Sequence, residues 1–249
     1  MERTALLGRL TWQVGQVAET RTETPRVKSL LLALPGWPGH QAGQHVDIRL
    51  TAEDGYQAVR SYSIASPPEE RRVEVTVERL EYGEVSPYLT DEVRVGDPLE
   101  VRGPIGGYFV WDVPLGGPLF LVGGGSGIVP LMAMLRHRAA TGNDTHVTLL
   151  YSARSQRDVI YRTELEELAT RPGIDVIYTY TRSQPPGWTG YSRRIDQAML
   201  QEVAPSRDGH PRIYICGPTP LAEGAATVLV ALGYEPATIR IERFGPTGR

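Results

Sequence analysis

Pro118-Leu119-Phe120-Leu121-Val122, then Gly123-Gly124-Gly125-Ser126-Gly127, then Ile128-Val129-Pro130-Leu131 is the stretch that decides how the second half of this chain folds. Its first five residues carry no polar side chain, as a strand covered on both faces requires. Ile128 to Ala140 reads as a helix closed by Gly142. The glycines between them suit a tight strand-to-helix turn that aims free N–H groups and the positive helix end at an anion such as a pyrophosphate. The dinucleotide fingerprint asks for a third glycine where Pro130 stands, so the loop is a variant, and glycines serving only a sharp connection remain the alternative. Gly124-x-Ser126 also begins like a nucleophile elbow, but Ile128 occupies the place of its second glycine and removes the esterase reading.

The same grammar continues outward. A strand is expected at Val147 to Tyr151, a helix at Tyr161 to Ala169, a strand at Ile174 to Tyr180, a helix near Asp196 to Val203, a strand at Ile213 to Cys216 and a helix at Pro220 to Leu232. Strand and helix in alternation predict an α/β doubly wound parallel sheet over residues 114–249. Before Asp112 the chain reads as short strands, such as Val27 to Leu34, His45 to Leu50, Arg72 to Leu80 and Pro98 to Arg102, broken by clusters such as Pro35-Gly36-Trp37-Pro38-Gly39. That pattern predicts an antiparallel β-barrel over residues 1–113. Ser86-Pro87 predicts one short helix with a capping hydroxyl.

Composition bounds the chemistry. The 249 residues include 27 Gly and 20 Pro, which fits many tight turns. A single cysteine, Cys216, allows no intrachain disulfide and no four-cysteine iron-sulfur site within this sequence. The net charge of −3 gives no electrostatic case for nucleic acid or an anionic membrane surface. No apolar run approaches the ~18 residues needed to cross a bilayer, and Met1 to Trp12 lacks a secretory stretch, so the expectation is a soluble cytoplasmic protein without a membrane partner. Residues 1–113 carry 12 basic and 17 acidic side chains against 14 and 12 in the rest, so an anionic ligand suits the second half better.

In the first half, Arg60-Ser61-Tyr62-Ser63 places a cation able to fork onto phosphate and an aromatic face on the same side of one strand. The plain alternative is a solvated arginine beside an ordinary strand tyrosine. Gly83-Glu84-Val85-Ser86 adds a second anion site at the start of the short helix. Thr219 and Pro220 read as the cap and first residue of the last helix, so Cys216 lies just before a helix start. A free cysteine there is commonly a small buried apolar residue.

Taken in order, Arg60-Ser61-Tyr62-Ser63, Val77-Glu78-Arg79-Leu80, Gly83-Glu84-Val85-Ser86, Gly103-Pro104-Ile105-Gly106, Gly124-Gly125-Ser126-Gly127 with Pro130, and Cys216-Gly217-Pro218 resemble the ferredoxin-NADP reductase family of flavoproteins. The resemblance runs from about Thr11 to Phe244. It implies a flavin-binding barrel followed by a nicotinamide-nucleotide domain. Arg60 with Gly83, Val85 and Ser86 would hold an FAD pyrophosphate, Tyr62 would pack on the flavin, and Ser63 would lie near its N5. Main chain at Val77 and Arg79 would touch the ring or ribityl chain. Gly124, Gly125, Ser126 and Gly127 would receive the NAD(P) pyrophosphate, and Cys216, Gly217 and Pro218 would border the nicotinamide. Ile241-Glu242-Arg243-Phe244 resembles the family's terminal strand, where Glu242 would assist proton transfer and Phe244 would cover the ring. In plant-type members the aromatic closes the chain, whereas Gly245 to Arg249 follow here and leave Phe244 less free to act as a lid.

The resemblance implies an FAD-dependent oxidoreductase that takes hydride from NAD(P)H and passes electrons to a separate ferredoxin or oxygenase-type protein. A subunit of a larger redox complex, a nucleotide-binding redox sensor without turnover and a flavin-free dehydrogenase are the alternatives. After the second strand of the dinucleotide fold, Tyr151-Ser152-Ala153-Arg154 offers arginine before any acid, with Arg157 and Arg162 nearby, and so favours NADPH over NADH.

Overall fold

A computed structural model describes residues 10–245. Six strands form the first sheet: β1 Gln13–Thr24, β2 Val27–Ala33, β3 His45–Thr51, β4 Gln57–Ser63, β5 Val73–Glu78 and β6 Pro98–Ile105, in the order β4-β3-β6-β1-β2-β5 with every pairing antiparallel. An isolated bridge from Ile64 to Val75 joins the two edges, so the sheet closes on itself. Val46, Ile48, Val73, Val75, Val77 and Val101 fill its interior.

Five parallel strands form the second sheet: β7 Leu119–Gly124, β8 Val147–Ala153, β9 Ile174–Tyr180, β10 Arg212–Pro218 and β11 Ile239–Phe244, in the order β11-β10-β7-β8-β9. Helices α1 Ile128–Ala140 and α2 Arg162–Leu168 pack on the face toward the barrel, and α3 Gln197–Val203 and α4 Thr219–Ala231 on the other. Ile128 to Leu135 of α1 are apolar all round because this stretch lies between the sheet and the barrel. Its residues share one core with Ala42, Ala65, Phe109 and Trp111 of the first half.

Two expected caps differ. The helix after Ser86-Pro87 is one wide turn, Tyr88–Glu92, and Ser86 does not cap it. The turn closed by Gly83 N–H on the Leu80 carbonyl leaves the Leu80 N–H needing an acceptor, and the Ser86 hydroxyl supplies it at 3.0 Å. In α4 the cap is Pro218, and Thr219 and Pro220 are its first two residues, where a missing N–H costs nothing. Asp196 does cap α3, accepting from the Met199 N–H at 2.8 Å.

Candidate functional site

β7 and β10 are neighbours whose onward connections leave in opposite directions, β7 toward β8 and β10 toward β11. Such a reversal opens a crevice beyond the carboxyl ends of the two strands, where ligands of this sheet type bind. There the loop Gly125–Gly127 meets Cys216-Gly217-Pro218 at backbone contact distance. A Cβ on Gly127 would lie 2.1 Å from the Cys216 carbonyl oxygen, and one on Gly217 would lie 3.2 Å from Gly124 main chain. Gly125 adopts φ +55, a left-handed conformation that favours glycine. The Tyr151 hydroxyl donates to the Gly125 carbonyl at 3.1 Å and steadies the turn.

Cys216 and Glu242 are aligned neighbours on β10 and β11, with the thiol 3.8 Å from Oε2 of the carboxyl. Burial pushes the Glu242 carboxyl up to about 7. Burial, and then the neighbouring Glu242 charge, push the Cys216 thiol well above its usual range, which favours the neutral thiol. Phe244 pairs in register with Pro218 and packs partly against the shared core.

On the barrel, Arg60 is exposed on β4 and donates to the Glu84 carboxylate and, at 2.8 Å, to the Val59 carbonyl. Tyr56 donates to the same carboxylate at 2.8 Å, and that hydrogen bond, with the Arg60 charge, holds Glu84 below its usual range. Arg60 thereby lies against the Gly83-Glu84-Val85-Ser86 segment, two motifs 23 residues or more apart in sequence. Tyr62 is half-buried against the barrel core. The Ser63 hydroxyl is buried and has no hydrogen-bond partner among the described residues. Val77 is buried, while Arg79 donates its N–H to the Arg26 carbonyl and its guanidinium to Asp91, both at 2.8 Å.

The two halves meet where Ser126 donates to Glu78 Oε2 at 2.9 Å. Glu78 lies inside the Val77 to Leu80 motif, of which the resemblance implicates only Val77 and Arg79; strand alternation places Glu78 on the face opposite Val77, and that alternation is its signal in the sequence. Of the arginines expected beside the coenzyme, Arg154 is exposed at the end of β8. Arg162 opens α2, pairs with Glu166 at 3.5 Å and acts electrostatically on Tyr178 and Tyr180. Asp158, the first acid after Arg154, accepts from Ser155.

A closed antiparallel sheet joined to a doubly wound sheet, with glycine loops meeting at the switch point, defines a two-domain dinucleotide-binding protein. The description "oxidoreductase FAD-binding domain" matches residues 16–110 and "oxidoreductase NAD-binding domain" matches residues 121–227. Glycine betaine monooxygenase reductase subunit from Pseudomonas aeruginosa is 36% identical over 211 residues, covering 82% of this chain and 56% of that protein. NADH-cytochrome b5 reductase 1 from Aspergillus terreus is 31% identical over 229 residues, covering 89% of this chain and 74% of that protein. The flavohem-like FAD/NAD binding domain of nitric oxide dioxygenase from Vibrio cholerae superposes with a TM-score of 0.84 at 26% identity, covering 94% of this chain and 99% of that one. The chain belongs to the ferredoxin-NADP reductase family of FAD- and NAD(P)-binding oxidoreductases. It spans just over half the length of the glycine betaine monooxygenase reductase subunits it matches. No helix among the described residues is long and apolar enough to cross a membrane.

Proposed function

We propose that this chain oxidises a reduced nicotinamide dinucleotide through bound FAD and delivers the electrons to a separate redox protein, of which an oxygenase component is the first candidate. The observation that carries this reading is the Ser126 to Glu78 contact, which sets the dinucleotide loop against the barrel strand that ends the proposed flavin site. The name of the Pseudomonas aeruginosa relative, a monooxygenase reductase subunit, supports the oxygenase as acceptor.

The residues fit FAD. Arg60 beside the 83–86 segment offers a forked cation to a diphosphate, and its exposed pairing with Glu84 is weak enough for phosphate to replace. The unpartnered Ser63 hydroxyl is a buried donor that a ring acceptor would satisfy. When bound, FAD supplies the hydride acceptor and the means of releasing electrons singly. The chain's own part is to bind and orient. Tyr62 covers an aromatic face, Cys216 fills the strand end without charge, and Glu242 holds or gives a proton near neutral pH.

An absorbance spectrum of the purified protein tests the reading directly: flavin bands that bleach anaerobically with NAD(P)H are expected, and a protein that neither contains nor binds FAD refutes it. Arg60→Ala is expected to weaken FAD binding about tenfold or more, with the melting temperature of the ligand-free chain nearly unchanged. Undiminished FAD affinity would remove Arg60 from the site.

For the coenzyme we favour NADPH, because Arg154 is exposed at the end of β8 and Asp158 is engaged by Ser155. The name of the Aspergillus terreus relative, an NADH enzyme, points the other way. Comparing kcat/KM for the two coenzymes decides it. Arg154→Ala is expected to lower the NADPH value about tenfold and spare NADH, and an NADH preference in the parent protein rejects the assignment.

A further inference from the structure

The barrel edge strand β5 alternates strictly. Val73, Val75 and Val77 point into the barrel core. Glu74, Thr76 and Glu78 point the other way, and each meets a different part of the second half. Glu74 accepts from Arg136 on α1 at 2.8 Å, Thr76 accepts from the Tyr161 hydroxyl just before α2, and Glu78 accepts from Ser126 in the glycine loop at 2.9 Å. Three contacts thus follow one strand at its two-residue repeat of about 6.6 Å.

The first two contacts are over-determined. Arg136 forks onto Glu164 of α2 at 2.8 and 2.6 Å, donates to the Ala65 carbonyl at 3.0 Å and lies over the Tyr161 ring, 4.9 Å from its centre. Tyr161 is held at φ 57, ψ 31, a left-handed conformation uncommon for a bulky residue and retained only when its surroundings impose it. Thr76 is bound in turn by Ser29 at 2.8 Å, Ser29 donates to Glu23 at 2.7 Å, and Arg21 contacts both Glu23 and Glu74. α1, whose start carries the glycine loop, and α2 are therefore both fixed to the strand that also receives Ser126.

We propose that Arg136 and Tyr161 are positioning residues: through β5 they set where the dinucleotide loop stands relative to Tyr62 and Ser63 of the barrel, and so govern hydride transfer without touching either cofactor. This rests on the function proposed above. A displacement of about 1 Å at the reacting centre costs as much as a hundredfold in rate, so small rotations of one half on the other matter.

The test uses Tyr161→Phe, which removes one hydroxyl, and Arg136→Lys, which keeps the charge and loses the fork, with Thr76→Val severing the same bond from the barrel side should either fail to fold. In the FAD-loaded variants, anaerobic bleaching by excess NADPH or NADH is expected to be about tenfold slower, with FAD affinity within about twofold of the parent. Before coenzyme is added, amide hydrogen exchange is expected to rise at Gly124 to Gly127 as well as around Tyr161. Unchanged bleaching rates, or exchange raised only around Tyr161, overturn the proposal even if the melting temperature falls. A parent protein that holds FAD but is bleached by neither coenzyme refutes the function instead, and the exchange at Gly124 to Gly127 still decides whether these residues act on the loop.

Discussion

Gly127→Ala is expected to reduce nicotinamide coenzyme affinity about tenfold to a hundredfold, the equivalent of one lost hydrogen bond to a charged phosphate, and to destabilise the second half by about 2–3 kcal/mol. The backbone of Gly127 has an ordinary helical φ of −63, so conformational strain is not the reason. The added Cβ would lie 2.1 and 2.4 Å from the carbonyl oxygen and carbon of Cys216 and 2.7 Å from the Gly217 nitrogen. These are main-chain atoms of β10, paired to β7 on one side and β11 on the other, and they have no route of retreat. The loop must move instead, and with it the N-terminus of α1. Titration with an unreactive coenzyme analogue measures the effect, and near-parental affinity would mean that the crevice between the strands is not the coenzyme site.

Glu242→Gln is expected to flatten the pH dependence of stability between pH 5 and 8. A carboxyl that holds its proton up to about 7, against an ordinary 4.5, stabilises the fold fully below about 4.5 and loses that contribution as pH rises through 7. The difference corresponds to about 3 kcal/mol. Denaturant unfolding at pH 5 and pH 8 should therefore show the parent chain losing about that much more stability than the glutamine variant over the same interval. Equal slopes would place Glu242 in water and remove its role as a proton holder beside Cys216. In turnover, the variant should also lose any pH limb near 7.

Much of this was legible in the sequence, for identifiable reasons. The helix Ile128–Ala140 and the strand Ile174–Tyr180 are legible to the residue because glycine or a change of period marks their ends. The resemblance also picked out Arg60 and the 83–86 segment, which the fold does bring together. What escaped was set by tertiary contacts. Ser86 reads as a cap by local chemistry, but the turn at Leu80 claims its hydroxyl. Glu84 looks like a surface acid and proves to hold both Arg60 and Tyr56. Tyr161 carries no signal of a left-handed backbone in the sequence, and the partners of its side chain, Thr76 and Arg136, are distant along the chain.

The core that α1 shares with Ala42, Ala65, Phe109 and Trp111 bears on how such a chain can be recombined. The grammar of the sequence changes near Asp112, which invites a cut there when building chimeras from related reductases. Cutting at that point would strip one wall from α1, whose stretch Ile128 to Leu135 has no polar side chain to turn toward water. The transferable unit is therefore not either half but a half together with the strip it leans on, and a graft that exchanges one sheet must carry matching residues at 42, 65, 109 and 111.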